Sequence, residues 1–215
     1  ASSATRRSRC PTATSTSKSA VSRRFVARTE TALAELMAAD LSDLDVVALM
    51  VDGVHFAGHC CVVALGVDID GTKHPLGVVE GDTENATVVK DLLVDLRDPG
   101  LDTARPVLVV IDGAKALASA VNSVFDHPVI QRCQLHKIRN VEAKLPKAVA
   151  KTVAKKMRTA YHDPDALAAE AALEVLADSL AKSHPGAAGS LREGLAETLT
   201  VARLEVAPTL GSATE

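Results

Sequence analysis

Asp52 and Asp112 carry the strongest chemical signal in this chain. Each closes a short run of apolar, mostly aliphatic residues, Val46-Val47-Ala48-Leu49-Met50-Val51 in one case and Val107-Leu108-Val109-Val110-Ile111 in the other, and each is followed by glycine. Runs this short, without polar alternation, predict strands buried on both faces. A carboxylate at the carboxyl end of such a strand lies where open α/β sheets place their ligand sites, and Gly113 lets the backbone turn sharply there. Two such carboxylates suit a hard divalent cation, Mg2+ or Mn2+, which takes oxygen ligands. A pair of ions of this kind can activate an attacking water or hydroxyl and stabilise the leaving oxygen in phosphodiester chemistry. A lone Asp-Gly is only a turn; the repetition behind two buried runs is what points to a site.

A second constellation is Gln131-Arg132-Cys133-Gln134-Leu135-His136-Lys137-Ile138-Arg139-Asn140, where a strand passes into a basic helix start. Cys133 and His136 have the spacing of half a zinc site, but a structural zinc needs about four ligands and no second pair is evident. The expectation is therefore a partly buried Cys and a His facing DNA or the acidic pair. Arg132, Lys137 and Arg139 are of the type that meets phosphates; otherwise they form a solvated helix face. His55 and His59 flank Asp52 and read as loop residues. Near the start of the chain, Lys18, Ser22, Arg23 and Arg24 form a further DNA-binding candidate.

The elements that must position these residues follow from periodicity. Residues 1–16 are rich in Ser, Thr, Ala and Arg and predict a disordered arm. Val21, Phe25, Val26 and Leu33 recur at helical spacing and predict a basic helix over 17–36, in an N-terminal segment 17–40. Residues 46–80 predict three antiparallel strands, with the hairpin turn at Asp70-Gly71. A helix over 86–97 is capped by Asn85, then come the Asp112 strand, its helix over 114–124, and a strand around Val129. Beyond Pro146 the pattern is helical: 147–160, 164–182 and 187–201. The order β-β-β-α-β-α-β-α is an α/β fold and fits a ribonuclease-H-like core over 45–146.

Composition narrows the classes. Apolar residues make up 47% of 215, ample for a core, while aromatics are 2%, so Val, Leu and Ala must fill it. The net charge of −3 does not announce a nucleic-acid binder, but the cations crowd the beginning. No apolar run is long enough to span a bilayer. Four cysteines, two of them adjacent, do not look like a disulfide framework, which predicts a reducing cytoplasm.

Several blocks together resemble a known family. Asp52-Gly53-Val54, the run from Asp70 to Gly77, Glu80-Gly81-x-x-Glu84-Asn85, Val110-Ile111-Asp112-Gly113 and Gln131-Arg132-Cys133-x-x-His136-Lys137-x-Arg139-Asn140 look like a mutator-type transposase of bacterial insertion sequences, over about residues 15–210. The resemblance implies a ribonuclease-H-like catalytic domain whose three acids bind Mg2+ (a DDE-type polynucleotidyl transferase). Asp52 matches the first acid and Asp112 the second, and Cys133, His136 and Asn140 belong to the family motif. It also implies an all-helical insertion, matched by 147–210. Residues 17–40 resemble the end of a helix-turn-helix DNA-binding region. The implied partners are element-end and target DNA, with self-association, in a nucleoid-associated bacterial cytoplasm and without a membrane.

The chain departs from the family after the insertion. The family's third acid is a Glu in a Thr-Asn-x-x-Glu-like stretch that this sequence lacks, and residues 211–215 look foreign. Glu193, Glu197, Glu205 and Glu215 are not carried over. The expectation is a truncated transposase copy, inactive by itself. A non-catalytic DNA-binding or oligomerising remnant, or another nuclease of the same fold, is the alternative.

Overall fold

A computed structural model describes residues 18–56 and 58–204. The expected arm over 1–16, Glu205, Glu215 and the tail 211–215 lie outside the described residues. The chain divides into two units, Ala1–Leu36 and Met37–Glu215. In the first, the basic helix is present as α1 (Lys18–Met37). Its side chains from Ser22 to Glu35 are exposed, Phe25, Val26 and Leu33 among them.

The second unit is mixed α/β. β1 (Val46–Phe56), β2 (His59–Asp68) and β3 (Lys73–Glu80) are followed by α2 (Ala86–Arg97), β4 (Val107–Ile111), α3 (Lys115–Val124), β5 (Pro128–Arg132) and α4 (Gln134–Glu142). The five strands form one sheet in the order β3-β2-β1-β4-β5. β1 pairs antiparallel with β2 and β2 with β3, whereas β4 runs parallel to both β1 and β5.

Strand alternation sends Leu49 and Val51 of β1, with Val109 and Ile111 of β4, to one face of the sheet. There they pack with Leu92, Leu93 and Leu96 of α2 and Leu117 and Val121 of α3. A register shift between Val46 and Ala48 lets Val46 join this core while Ala48 packs with Leu108 on the opposite face. Burying each Leu or Val contributes about 1.5–3 kcal/mol, and aliphatic side chains supply nearly all of it, as the composition requires. Asn85 caps α2 through its side-chain oxygen, which accepts from the N–H groups of Thr87 and Val88.

A separate core lies among α4, α5 (Lys147–Tyr161), α6 (Ala166–Ala181) and α7 (Pro185–Arg192), where Ile138 and Val141 meet Met157, Leu173, Leu191 and Leu199. A 3-10 turn (Ala196–Leu199) and the short α8 (Thr200–Arg203) return the chain to β5. There the buried Gln131 side chain donates to the carbonyls of Arg132 and Thr198 and accepts from the Val201 N–H. No helix among the described residues is long and apolar enough to cross a membrane.

Two expectations need correction. The first strand does not stop at Asp52-Gly53. β1 continues to Phe56, paired with β2 throughout, and only its parallel pairing with β4 ends at Val51. The helix expected over 187–201 is broken after Arg192. Gly194 adopts φ +61, and the Lys137 ammonium takes up the carbonyls of Ser190 and Glu193 that a continuing helix would use.

Candidate active site

β1 and β4 are in register, with Val51 opposite Ile111, so Asp52 and Asp112 are the next residue on each of two adjacent parallel strands. Neighbouring strands lie about 4.8 Å apart, which puts the backbones of Asp52 and Asp112 at one level of the sheet. Asp52 is exposed, and its Oδ1 accepts the Gly53 N–H at 2.8 Å. Asp112 is half-buried. Its Oδ1 accepts the Ala114 N–H at 2.7 Å and its Oδ2 the Thr83 hydroxyl at 3.3 Å. The Ala114 bond is possible because Gly113 turns the chain at φ +101.

Thr83 is a member of this site that the sequence pattern does not single out. It is buried between β3 and α2, and no motif marks it; only the folded meander brings it across to Asp112. Its methyl also explains the glycine after Asp52. A Cβ on Gly53 would stand 2.9 Å from Thr83 Cγ2, closer than carbon atoms tolerate. Cys60 places its sulfur 3.7 Å from the same point. Desolvation pushes its thiol up, and the charges of Asp82 and Cys61 push it further.

Both carboxylates keep unused lone pairs beside the hydrogen bonds they accept, and this all-oxygen donor set has the chemistry Mg2+ or Mn2+ prefers. Two carboxylates, with substrate phosphates and water, are a usual way of holding Mg2+. Among the described residues no three His, Cys, Asp or Glu side chains group as a metal site, so Cys133 and His136 have no further ligand of these kinds beside them. Cys133 is a free thiol at the N-cap position of α4, making no side-chain cap bond, with its N–H on the Ile111 carbonyl at 2.7 Å. His136 carries a buried Nδ1 with no hydrogen-bond partner among the described residues. Nearby Tyr161 has its phenol pushed up to about 12, chiefly by burial, with Cys133 adding and Thr198 opposing.

The cations of the second constellation part company. Arg132 faces Ile111 across the sheet, and its guanidinium packs over Gly113. It is paired with Glu197 at 2.5 Å and with Glu193 at 3.7 Å, leaving its side chain 14% exposed. Lys137 is buried, and its ammonium donates to the carbonyls of Ser190 and Glu193. Desolvation lowers its pKa, Arg132 lowers it further, and Glu193 and Glu197 oppose. Arg139 and Asn140 are exposed, as are Ser22, Arg23 and Arg24 of α1, while the Lys18 side chain lies outside the description. The approach of Glu193 and Glu197 to Arg132 had no signal in the sequence, because the contact spans more than sixty residues.

Known proteins resemble this chain over much of its length. The chain is 34% identical over 164 residues to the transposase for insertion sequence element IS6120 of Mycolicibacterium smegmatis, an overlap covering 74% of this chain and 50% of that protein. It is 33% identical over 135 residues to a probable insertion-sequence transposase of Corynebacterium diphtheriae, covering 62% of this chain and 39% of that one. With the transposase for IST2 of Acidithiobacillus ferrooxidans it shares 31% over 140 residues, 65% of this chain and 47% of its relative. The chain thus spans about half, or less, of the length of these relatives. Residues 12–208, which include every described residue, match the sequence model described as "Transposase, Mutator family"; the chain belongs to the Mutator family of transposases.

Proposed function

We infer that this chain contains the two-aspartate part of a transposase catalytic centre of ribonuclease-H-like type, acting on insertion-element ends and target DNA. The observation that supports the reading is the parallel register of Val51 with Ile111, which makes Asp52 and Asp112 the next residues along two neighbouring strands. The strand order β3-β2-β1-β4-β5, with one antiparallel meander and two crossovers, supports the ribonuclease-H-like assignment. Residues 45–146 form the core, 147–210 the helical insertion, and 17–40 an N-terminal DNA-binding segment. Asp52 and Asp112 would hold a divalent ion, Mg2+ or Mn2+, and the ion would supply positive charge for activating an attacking water or 3′ hydroxyl and for stabilising the leaving oxygen. Ala114 and Thr83 fix the Asp112 carboxylate, and Gly113 sets the turn that allows it. Asp52, bonded among the described residues only to Gly53, stays exposed to solvent and to an incoming phosphate.

These residues on their own do not complete a two-ion site. Glu193 and Glu197 are held by Arg132 rather than turned to the aspartates, and that observation favours a second reading, in which the chain by itself binds DNA or a copy of itself without cutting. The exposed Phe25, Val26 and Leu33 of α1 support self-association. The test is to incubate the chain with Mg2+ or Mn2+ and DNA carrying element ends. The expected result is no end-specific cleavage. Cleavage that disappears in Asp52→Ala would show that the chain completes its own site, with Glu193 or Glu197 as the first candidates for the third acid.

A further inference from the structure

Charge in the helical part of the second unit is sharply divided. From Lys144 to His162 the sequence has six cations and no acid, whereas residues 163–204 have seven acids and three cations. α5 contains five of those six cations, all exposed. Lys147, Lys151, Lys155 and Arg158 recur every three or four residues and therefore form one stripe along the helix. The stripe runs about 16 Å at 1.5 Å per residue.

The neighbouring acids do not neutralise it. α6 packs beside α5, yet its carboxylates are spoken for elsewhere. Glu170 pairs with Arg203 at 2.8 Å, and Glu174 and Asp178 pair with Arg192 at 3.2 and 2.5 Å. Asp163 lines a groove with Lys155 and Lys156, but its Oδ1 accepts the Asp165 N–H at 2.9 Å. No ion pair to Lys147, Lys151, Lys155 or Arg158 occurs among the described residues. The stripe also leads somewhere. Arg158 shares a cleft with Gln134 and Leu135 in the first turn of α4, and α4 starts where the Cys133 N–H meets the Ile111 carbonyl, one residue before Asp112.

We propose that the α5 stripe is a docking track for the phosphate backbone of duplex DNA, feeding the duplex toward the Asp52–Asp112 edge of the sheet. The partner is duplex because a straight row of point charges matches the regular line of phosphates along one strand of a stiff double helix, about one charge per 3.4 Å of axis, and reads no bases. The proposal rests on the transposase reading above. It adds a surface distinct from the α1 cations and explains how a net-acidic chain holds DNA.

The experiment measures fluorescence anisotropy of a labelled 30-base-pair duplex against the full chain over a range of salt. The variants are K147A/K151A/K155A/R158A, the three lysines changed to Arg, and R23A/R24A. Each neutralised phosphate contributes about 0.9 to the slope of log K on log salt. The alanine variant should lose about three to four units of slope, and the arginine variant should keep it. R23A/R24A should reduce the slope separately, by about two units at most. Circular dichroism reports whether α5 persists, as it should with alanines at exposed helix positions. Wild-type protein that does not bind the duplex, or an alanine variant with an unchanged slope, overturns the proposal. So does a stripe that binds phosphatidylserine vesicles in preference to the duplex. Mn2+ titration of the same proteins separates the two ideas: an unchanged slope with Mn2+ bound by Asp52 and Asp112 sinks the track and leaves the catalytic reading. A lost slope without Mn2+ binding does the reverse.

Discussion

Replacing Lys137 by Met removes a buried ammonium while nearly preserving side-chain volume. Lys137 is 4% exposed and donates to two main-chain carbonyls, Ser190 at 2.8 Å and Glu193 at 2.5 Å. Each carbonyl left unpaired costs about 1–3 kcal/mol. Relief of the buried charge offsets part of that, so the net loss should be about 2–4 kcal/mol. With a urea dependence of about 2 kcal/mol per molar, the unfolding midpoint should fall by about 1–2 M. The pH dependence is a sharper sign of the mechanism. The folded pKa of Lys137 lies below its ordinary 10.5. Between the folded value and 10.5 the unfolded chain binds a proton that the folded chain does not, so the stability of the native protein rises with pH across that window. Below the window both states are charged and the burial penalty is fully present. The difference between native protein and Lys137→Met should therefore widen as pH rises toward 10.5, and taking the difference cancels groups common to both, such as Tyr161. Equal urea midpoints, or a difference independent of pH, would refute this account of Lys137.

Three further outcomes follow from named contacts. Gly194→Ala places a Cβ 2.4 Å from Arg132 Cζ at a backbone with φ +61; it should cost about 1–2 kcal/mol for the backbone alone and expose Glu197, which chemical denaturation and carboxylate NMR report. His74 at 2.7 Å from Asp68 is the largest cause of the lowered pKa of that carboxylate. The stability from Asp68 is present above its ordinary 3.8 and is lost as pH falls through the lower folded value, so His74→Ala should raise the Asp68 pKa by NMR and shift acid unfolding to higher pH. Asn85→Ala strips α2 of the cap on Thr87 and Val88 and should lower stability by about 0.5–2 kcal/mol in thermal unfolding.

Much of the second unit was legible because its signals are local. The apolar runs of β1 and β4, the Asp70-Gly71 turn and the Asn85 cap each declare an element within a few residues, and the order of elements follows from them. Asp52 and Asp112 were legible as a pair because both close runs of the same kind. What escaped depends on distant contacts. β1 outlasts Asp52 because β2 supplies hydrogen bonds up to Phe56, which no property of the sequence around Gly53 announces. Thr83 reaches Asp112 only after the meander has folded. The break at Gly194 depends on Lys137, more than fifty residues earlier, and the helical pattern around it is unremarkable. Arg132 and Lys137 look like solvent-facing phosphate ligands in sequence, yet Glu197 and the carbonyls of Ser190 and Glu193 claim them. The basic run of α5 is plain in the sequence, but that it stays without ion-pair partners among the described residues emerges only once the acids of α6 are seen to serve Arg192 and Arg203.

The measurement that bears most directly on the central claim is an electron paramagnetic resonance titration of Mn2+ into the chain and into Asp52→Asn and Asp112→Asn. Asparagine keeps the side-chain shape and an oxygen while removing the charge. If the two aspartates form one cation site, the native protein takes up one Mn2+, Mg2+ displaces it, and either substitution weakens uptake by at least tenfold. Uptake that is unchanged in both variants would contradict the account.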